Sequence, residues 1–243
     1  MHDQKAITFD GLRARIVRPA DANGAGIVQI PAWQGLNDGT DTYARALADE
    51  GFTVLSWDPF SAYPSDLPAE DRRRLTMGEI LDVDARLEHV HCVDYLTKEL
   101  AGSSVGTIGY CMGGRMGMLI GAIDGRVKAC SAYYPTLRDH VPDWALDVNT
   151  EAAEMETAVQ IHYPQLDSVT PYSRILDLRL ALEARPGTPT TVTAVYAGAH
   201  HGFMRPGEEP DKRAARIAWP ATVAFFRSVL LPDTAFESPS SNT

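Results

Sequence analysis

Apolar positions along this chain fall into short dense runs, separated by stretches that are polar or helically periodic. Residues 6–9 and 12–17 alternate about Asp10-Gly11, a strong short-range turn signal, and predict an antiparallel hairpin. Compact apolar strands are expected at 26–30, 52–57, 104–108, 127–134, 158–163 and 190–196. Helices are expected at 40–50, closed by Gly51, and at 115–122, 172–184 and 211–230, where Pro220 predicts a kink or break. A long helix is expected over 79–100, with Ile80, Val83, Leu87, Val90, Tyr95 and Leu96 at helical spacing. Residues 60–78 read as a polar excursion bearing Pro and Arg, and 135–156 as polar and irregular.

This strand–helix alternation predicts an α/β fold: a mostly parallel sheet with helices on both faces, preceded by the hairpin. No repeat and no second core interrupts it, so residues 1–235 read as a single domain and 236–243 as a loose Ser/Pro-rich tail. In such sheets the site lies at the carboxyl ends of the strands.

One stretch carries the chemistry. Gly109-Tyr110-Cys111-Met112-Gly113-Gly114 stands between a buried-type strand and a helix rich in Met, Leu and small residues. It has the form of a nucleophile elbow with cysteine as the nucleophile. The abrupt strand-to-helix turn strains the nucleophile's backbone, and the positions two before and two after it must be small. The helix N-terminus then favours a thiolate. The competing reading is a buried structural cysteine beside a glycine-rich turn.

An elbow needs an acid and then a histidine downstream. Asp167 follows the 158–163 strand, where the acid belongs; Asp139 and Asp143, after the strand before, are weaker candidates. After the last strand stand His200 and His201. Gly202 lets the chain turn tightly beside His201, which is therefore preferred, with His200 exposed or supporting. His89, His91 and Cys92 have the wrong helical spacing for joint metal ligation and read as helix surface. His140 and His162 read as structural. The oxyanion donors expected are the N–H of Met112 and one from the loop around Ala32 and Trp33.

Composition narrows the setting. Of 243 residues, 44% are hydrophobic and 22% charged, ordinary for a globular protein. A net charge of −10 with no Lys/Arg run argues against nucleic acid, and no apolar run reaches membrane-spanning length. Three cysteines without framework spacing, and an N-terminus without a signal-peptide plan, predict a reducing, cytoplasmic setting. The partner expected is a small molecule, with the chain a monomer or small homo-oligomer.

These residues together resemble the dienelactone hydrolase (carboxymethylenebutenolidase) family of the α/β-hydrolase fold. The resemblance spans about residues 25–230. It rests on Gly109 to Gly114, Ala48-Asp49-Glu50-Gly51-Phe52, Trp57-Asp58-Pro59, Tyr133-Tyr134, Asp167, and Tyr196 to Phe203. It implies a Cys111–Asp167–His201 triad that cleaves a lactone or ester without cofactor or metal. It also implies that Arg205 holds a substrate carboxylate, with a second arginine from Arg72, Arg73 and Arg74, of which Arg73 is favoured. The chain departs from the family pattern at Ala32, where relatives carry a glutamate that contacts the cysteine. A general carboxylesterase or thioesterase, or a silent ligand-binding protein of the same fold, are the alternatives.

Overall fold

The computed structural model describes residues 2–100, 104–187 and 189–231. The tail expected at 236–243 lies outside the described residues. Eight strands form one sheet in the order β1-β2-β4-β3-β5-β6-β7-β8. β1 (Asp3–Phe9) and β2 (Leu12–Arg18) form the expected hairpin, and β2 runs antiparallel to β4 (Thr53–Trp57). Asp10 and Gly11 both take positive φ, as a two-residue turn matched to strand twist requires. β3 (Gly26–Ile30), β5 (Val105–Tyr110), β6 (Val127–Tyr133), β7 (Ala158–Leu166) and β8 (Thr191–His200) continue the sheet in parallel.

The central strands are apolar on both sides because helices cover both faces. On one face Ile27, Val54 and Ile108 pack with α1 (Asp38–Asp49) and α7 (Glu209–Leu230). On the other, Val28, Ile30 and Leu55 pack with α3 (Asp82–Glu99) and α4 (Met112–Gly121), and Val159 and Ile161 pack with α6 (Tyr172–Glu183).

Several boundaries differ from the sequence expectation, each for a local reason. Residues 60–78 contain a helix, α2 (Ala69–Thr76), and the irregular 135–156 segment contains the short α5 (Val148–Glu151). In α2 only Leu75 and Thr76 are buried, so it has no apolar stripe to read. Its acids in the first turn and arginines in the last suit the helix dipole instead. The long helix starts at Asp82, since the N–H groups of Glu79 and Ile80 both turn back to the Leu75 carbonyl. Its buried face is Ala85, His89, Cys92, Val93 and Leu96, whereas Val83 and Leu87 are exposed. His89 is therefore not a surface residue: it packs edge-on to Trp57 at 4.4 Å, and burial lowers its pKa to about 3. His91 is exposed, as expected. α4 begins at Met112, three residues before the expected start, because Gly113 and Gly114 are helical despite poor propensity. Pro164 does not end β7. β6 pairs only as far as His162, so the missing N–H faces no ladder on that side. α7 runs unbroken through Pro220.

The elbow is the tightest point. A Cβ on Gly109 would lie 2.0 Å from the Gly113 carbonyl oxygen, and one on Gly113 would lie 2.1 Å from that of Ile30. Both obstacles are backbone and cannot swing away. Gly113→Ala should cost at least about 1–3 kcal/mol of stability, read as a lowered denaturant midpoint. Gly125→Ala, whose Cβ meets nothing within 4 Å, should stay within about 0.5 kcal/mol of wild type. Equal midpoints for the two variants would remove the elbow constraint.

Candidate active site

Five neighbouring strands deliver the site at their carboxyl ends. β3 leads to the Trp33 loop, β5 to Cys111, β6 to Tyr134 and Thr136, β7 to Asp167, and β8 to His201. Cys111 sits at the N-cap of α4 with φ 58° and ψ −114°. Its N–H donates to the Tyr133 carbonyl at 3.0 Å, and its own carbonyl accepts from Thr136 N–H at 3.1 Å. The strained backbone is thus pinned by the last residue of β6 and by the loop that follows it.

The Asp167 carboxylate is fully buried and accepts a hydrogen bond from His201 Nδ1 through both oxygens, at 2.9 and 3.0 Å. Asp167 Oδ1 also accepts from the N–H groups of Val169 and Thr170 at 2.7 and 2.9 Å, so the acid is held before it orients the imidazole. Tyr134, itself at φ 38°, packs edge-on to the His201 ring at 5.1 Å. His201 Nε2 is buried and has no hydrogen-bond partner among the described residues. The ring lies near enough to the Cys111 sulfur for each group to shift the other's pKa.

Electrostatics single out one thiol and one imidazole. Burial pushes Cys111 up, but His201, the Thr136 hydroxyl and the Met112 N–H outweigh it, so the thiol falls below its ordinary value. Burial instead raises Cys130 to about 12 despite a hydrogen bond to Thr107, and raises Cys92 higher still, with Glu88 adding to it. Burial likewise opposes charge on His201, yet Asp167 and the sulfur raise it to about 9. His162, which is more deeply buried, is lowered to about 3 by that burial, and both its nitrogens are taken by Tyr196 and Thr222 hydroxyls. The two groups thus shift in the directions that favour charge on each, the thiol down and the imidazole up.

A sequence profile of the dienelactone hydrolase family matches residues 12–230. The chain belongs to that family. A search of curated proteins finds no match. Among solved structures, a candidate dienelactone hydrolase from Klebsiella pneumoniae superposes with TM-score 0.79 at 20% identity, over 93% of this chain and 98% of that one. A dienelactone hydrolase-like promiscuous phosphotriesterase from metagenomic libraries gives 0.74 at 16%, over 94% and 98%. An esterase from Pyrococcus furiosus gives 0.69 at 13%, over 95% and 91%. At these identities the likeness is one of fold, the α/β-hydrolase fold. Family membership makes the chain a hydrolase of ester bonds.

Ala32, where the resemblance leads one to expect a glutamate, lines a cavity of about 280 Å³ beside Cys111, and among the described residues no carboxylate lines that cavity. What sequence reasoning missed is Thr136. Its Oγ1 lies 3.1 Å from Cys111 Sγ, and once the sulfur is a thiolate only the hydroxyl can donate. No local signal marks it, because the contact joins neighbouring loops 25 residues apart.

A second cavity, of about 420 Å³, opens on the other side of Cys111. Trp33, Cys111 and His201 line both. Arg205 lines the smaller cavity and Arg73 the larger, so the two arginines expected to act together do not share a cavity. Of the arginine triplet, Arg72 is spent on the Gln34, Ser65 and Leu67 carbonyls, and Arg74 pairs with Asp71 and Glu79. Asp139, Asp143 and His140 are exposed and line neither cavity. His200 is about half exposed and lies 3.4 Å from Asp211.

Thr136→Val should raise the Cys111 pKa, so that iodoacetamide labelling at pH 7 slows by about three- to tenfold, while Thr136→Ser keeps it. The readout is the pH profile of alkylation, with Cys92 and Cys130 nearly inert. A Thr136→Val profile that overlays wild type would show that the hydroxyl does not bear on the thiol.

Proposed function

We propose that the chain is a cysteine hydrolase that cleaves a small lactone or ester, one bearing a carboxylate, through a thiol acyl-enzyme with a Cys111–Asp167–His201 triad. The observation that carries this reading is the His201 imidazole fixed by both Asp167 oxygens beside the one thiol of three whose pKa is lowered. Three free cysteines, two of them buried, suit a reducing, cytoplasmic setting.

The Cys111 thiolate attacks the carbonyl carbon, and the π electrons move to oxygen. That oxyanion is met by the N–H of Met112, at the start of α4, and by that of Trp33 at the rim of both cavities. As the carbonyl re-forms, the alkoxide leaves with the Nε2 proton of His201, giving a thioester; in a lactone this alkoxide stays tethered. Neutral His201 then takes a proton from water, whose hydroxide attacks the thioester. Collapse returns the Cys111 thiolate and the His201 imidazolium, and the acid departs. Asp167 stabilises each imidazolium without giving up its charge.

Cys111→Ala and His201→Ala should each lower kcat/KM for p-nitrophenyl acetate by about 1,000-fold or more, with Asp167→Asn falling by about 100-fold or more. Because protonated His201 is needed to release the alkoxide, kcat/KM should also decline as pH rises through about 9. Activity that survives Cys111→Ala would end the nucleophile assignment. The carboxylate is tested separately. Arg205→Ala should reduce the preference for dienelactone over p-nitrophenyl acetate by about tenfold. An unchanged preference would mean that Arg205 does not hold the anion.

A further inference from the structure

The larger cavity has features that ester cleavage alone does not require. Its volume, about 420 Å³, lies in the range that encloses a drug-sized molecule and exceeds what a compact lactone fills. Its walls are mostly apolar, with Trp144 contributing a large ring. Four guanidiniums line it, Arg73, Arg115, Arg138 and Arg174, against the single carboxylate of Asp147. In a chain of net charge −10 this is a concentrated reversal of sign.

Two of those guanidiniums are paired and two are not. Arg115 pairs with buried Asp82, and Arg174 with Asp147 at 2.7 Å. Even so, Arg174 Nε is buried with no hydrogen-bond partner. Arg73 accepts from the Thr76 hydroxyl through its backbone carbonyl, but its guanidinium has no hydrogen bond or ion pair among the described residues. Arg138 meets the Met77 sulfur at 3.3 Å and stands 5.8 Å from the centre of the Trp144 ring, with no carboxylate partner among the described residues. Open guanidinium donors beside an aromatic wall suit a carboxylate on an apolar body.

The wall is also fixed in advance. The N–H of Asp82, first residue of α3, donates to the Trp144 carbonyl at 3.0 Å, and the Asp82 carboxylate accepts from Leu146 N–H at 2.7 Å while pairing with Arg115 of α4. The 135–147 loop is thus tied to two helices, and its aromatic wall does not have to be ordered at the moment of binding.

We infer that the larger cavity is a recognition site for a ring-bearing, apolar arm of the substrate that ends in a carboxylate, with the ring against Trp144 and the anion taken by Arg138 and Arg73. This rests on the ester-hydrolase reading of Cys111, since the arm extends from a carbonyl placed over that sulfur. The substrate then has two arms, one for each cavity. An open-chain ester, or a lactone that carries such an arm, meets that demand.

The test uses the full-length Cys111→Ala protein, which cannot turn over, and two probes of nearly equal shape, hydrocinnamate and its neutral amide. Titration calorimetry should show the carboxylate binding about tenfold or more tightly than the amide. Adding Arg73→Gln and Arg138→Gln should abolish that preference and leave the amide within about twofold of its parent value. Neither arginine has an ion-pair partner to lose, and an unchanged thermal midpoint would establish that the variant is folded. Equal affinity for the two probes, binding of neither, or a preference that survives the double variant would overturn the inference. Should wild type prove inert on esters while the carboxylate preference holds, the hydrolase reading fails and the recognition site stands.

Discussion

The close approach of three backbones at the elbow is the constraint on which the rest of the site depends. Gly109 and Gly113 leave no room for side chains between β5, the first turn of α4 and the end of β3. With those chains in contact, Cys111 has no way to turn except through φ 58°. That turn lifts the sulfur above the sheet edge and aims the Met112 N–H at it. The strain is local, but the hydrogen bonds that hold it come from the end of β6 and the loop after it, through Tyr133 and Thr136. The nucleophile, the residues that pin it and the hydroxyl that touches its sulfur are therefore one mechanical unit.

Placed there, the thiol needs its negative charge stabilised in a site that burial would otherwise keep neutral. A carboxylate from the Ala32 position would oppose that charge once formed. With a methyl group there instead, the local charges work in one direction: His201, backed by Asp167, attracts the thiolate and Thr136 donates to it. Each of these contacts favours the thiolate over the thiol. The two deep cysteines show the default that this arrangement overcomes.

What could be read from the sequence was what local chemistry encodes. The elbow was legible because its spacing is a steric requirement, and the hairpin because Asp-Gly dictates its turn. Asp167 and His201 were legible by position, each just past a strand end. α2 was not, since one buried leucine makes no periodicity. Helix α3 was legible as a helix but not in its phase. Its buried face runs through Ala85, His89 and Cys92, while the more hydrophobic Val83 and Leu87 face out. The last strand continues past Tyr196 through Ala197-Gly198-Ala199, where Gly198 takes φ 73° and small residues hide the extended pattern. Thr136 and the charged wall of the larger cavity depend on contacts between loops far apart in sequence, which no local pattern records.

The same distance in sequence explains why the arginines were misleading as a group. Three adjacent residues, Arg72, Arg73 and Arg74, carry the same charge but have three different fates set by the turn of α2. Arg72 faces back to the Gln34, Ser65 and Leu67 carbonyls, and Arg74 faces acids on its own helix and the turn beyond. Arg73 alone of the three reaches a cavity with its guanidinium uncommitted. A helix advances about 100° per residue, so neighbours in sequence cannot share one ligand. Charge at this site is therefore assembled from separate segments: Arg73 from α2, Arg138 from the loop after β6, Arg174 from α6 and Arg205 from the turn after β8. Each can change without disturbing the elbow, which separates what fixes the chemistry from what selects the substrate.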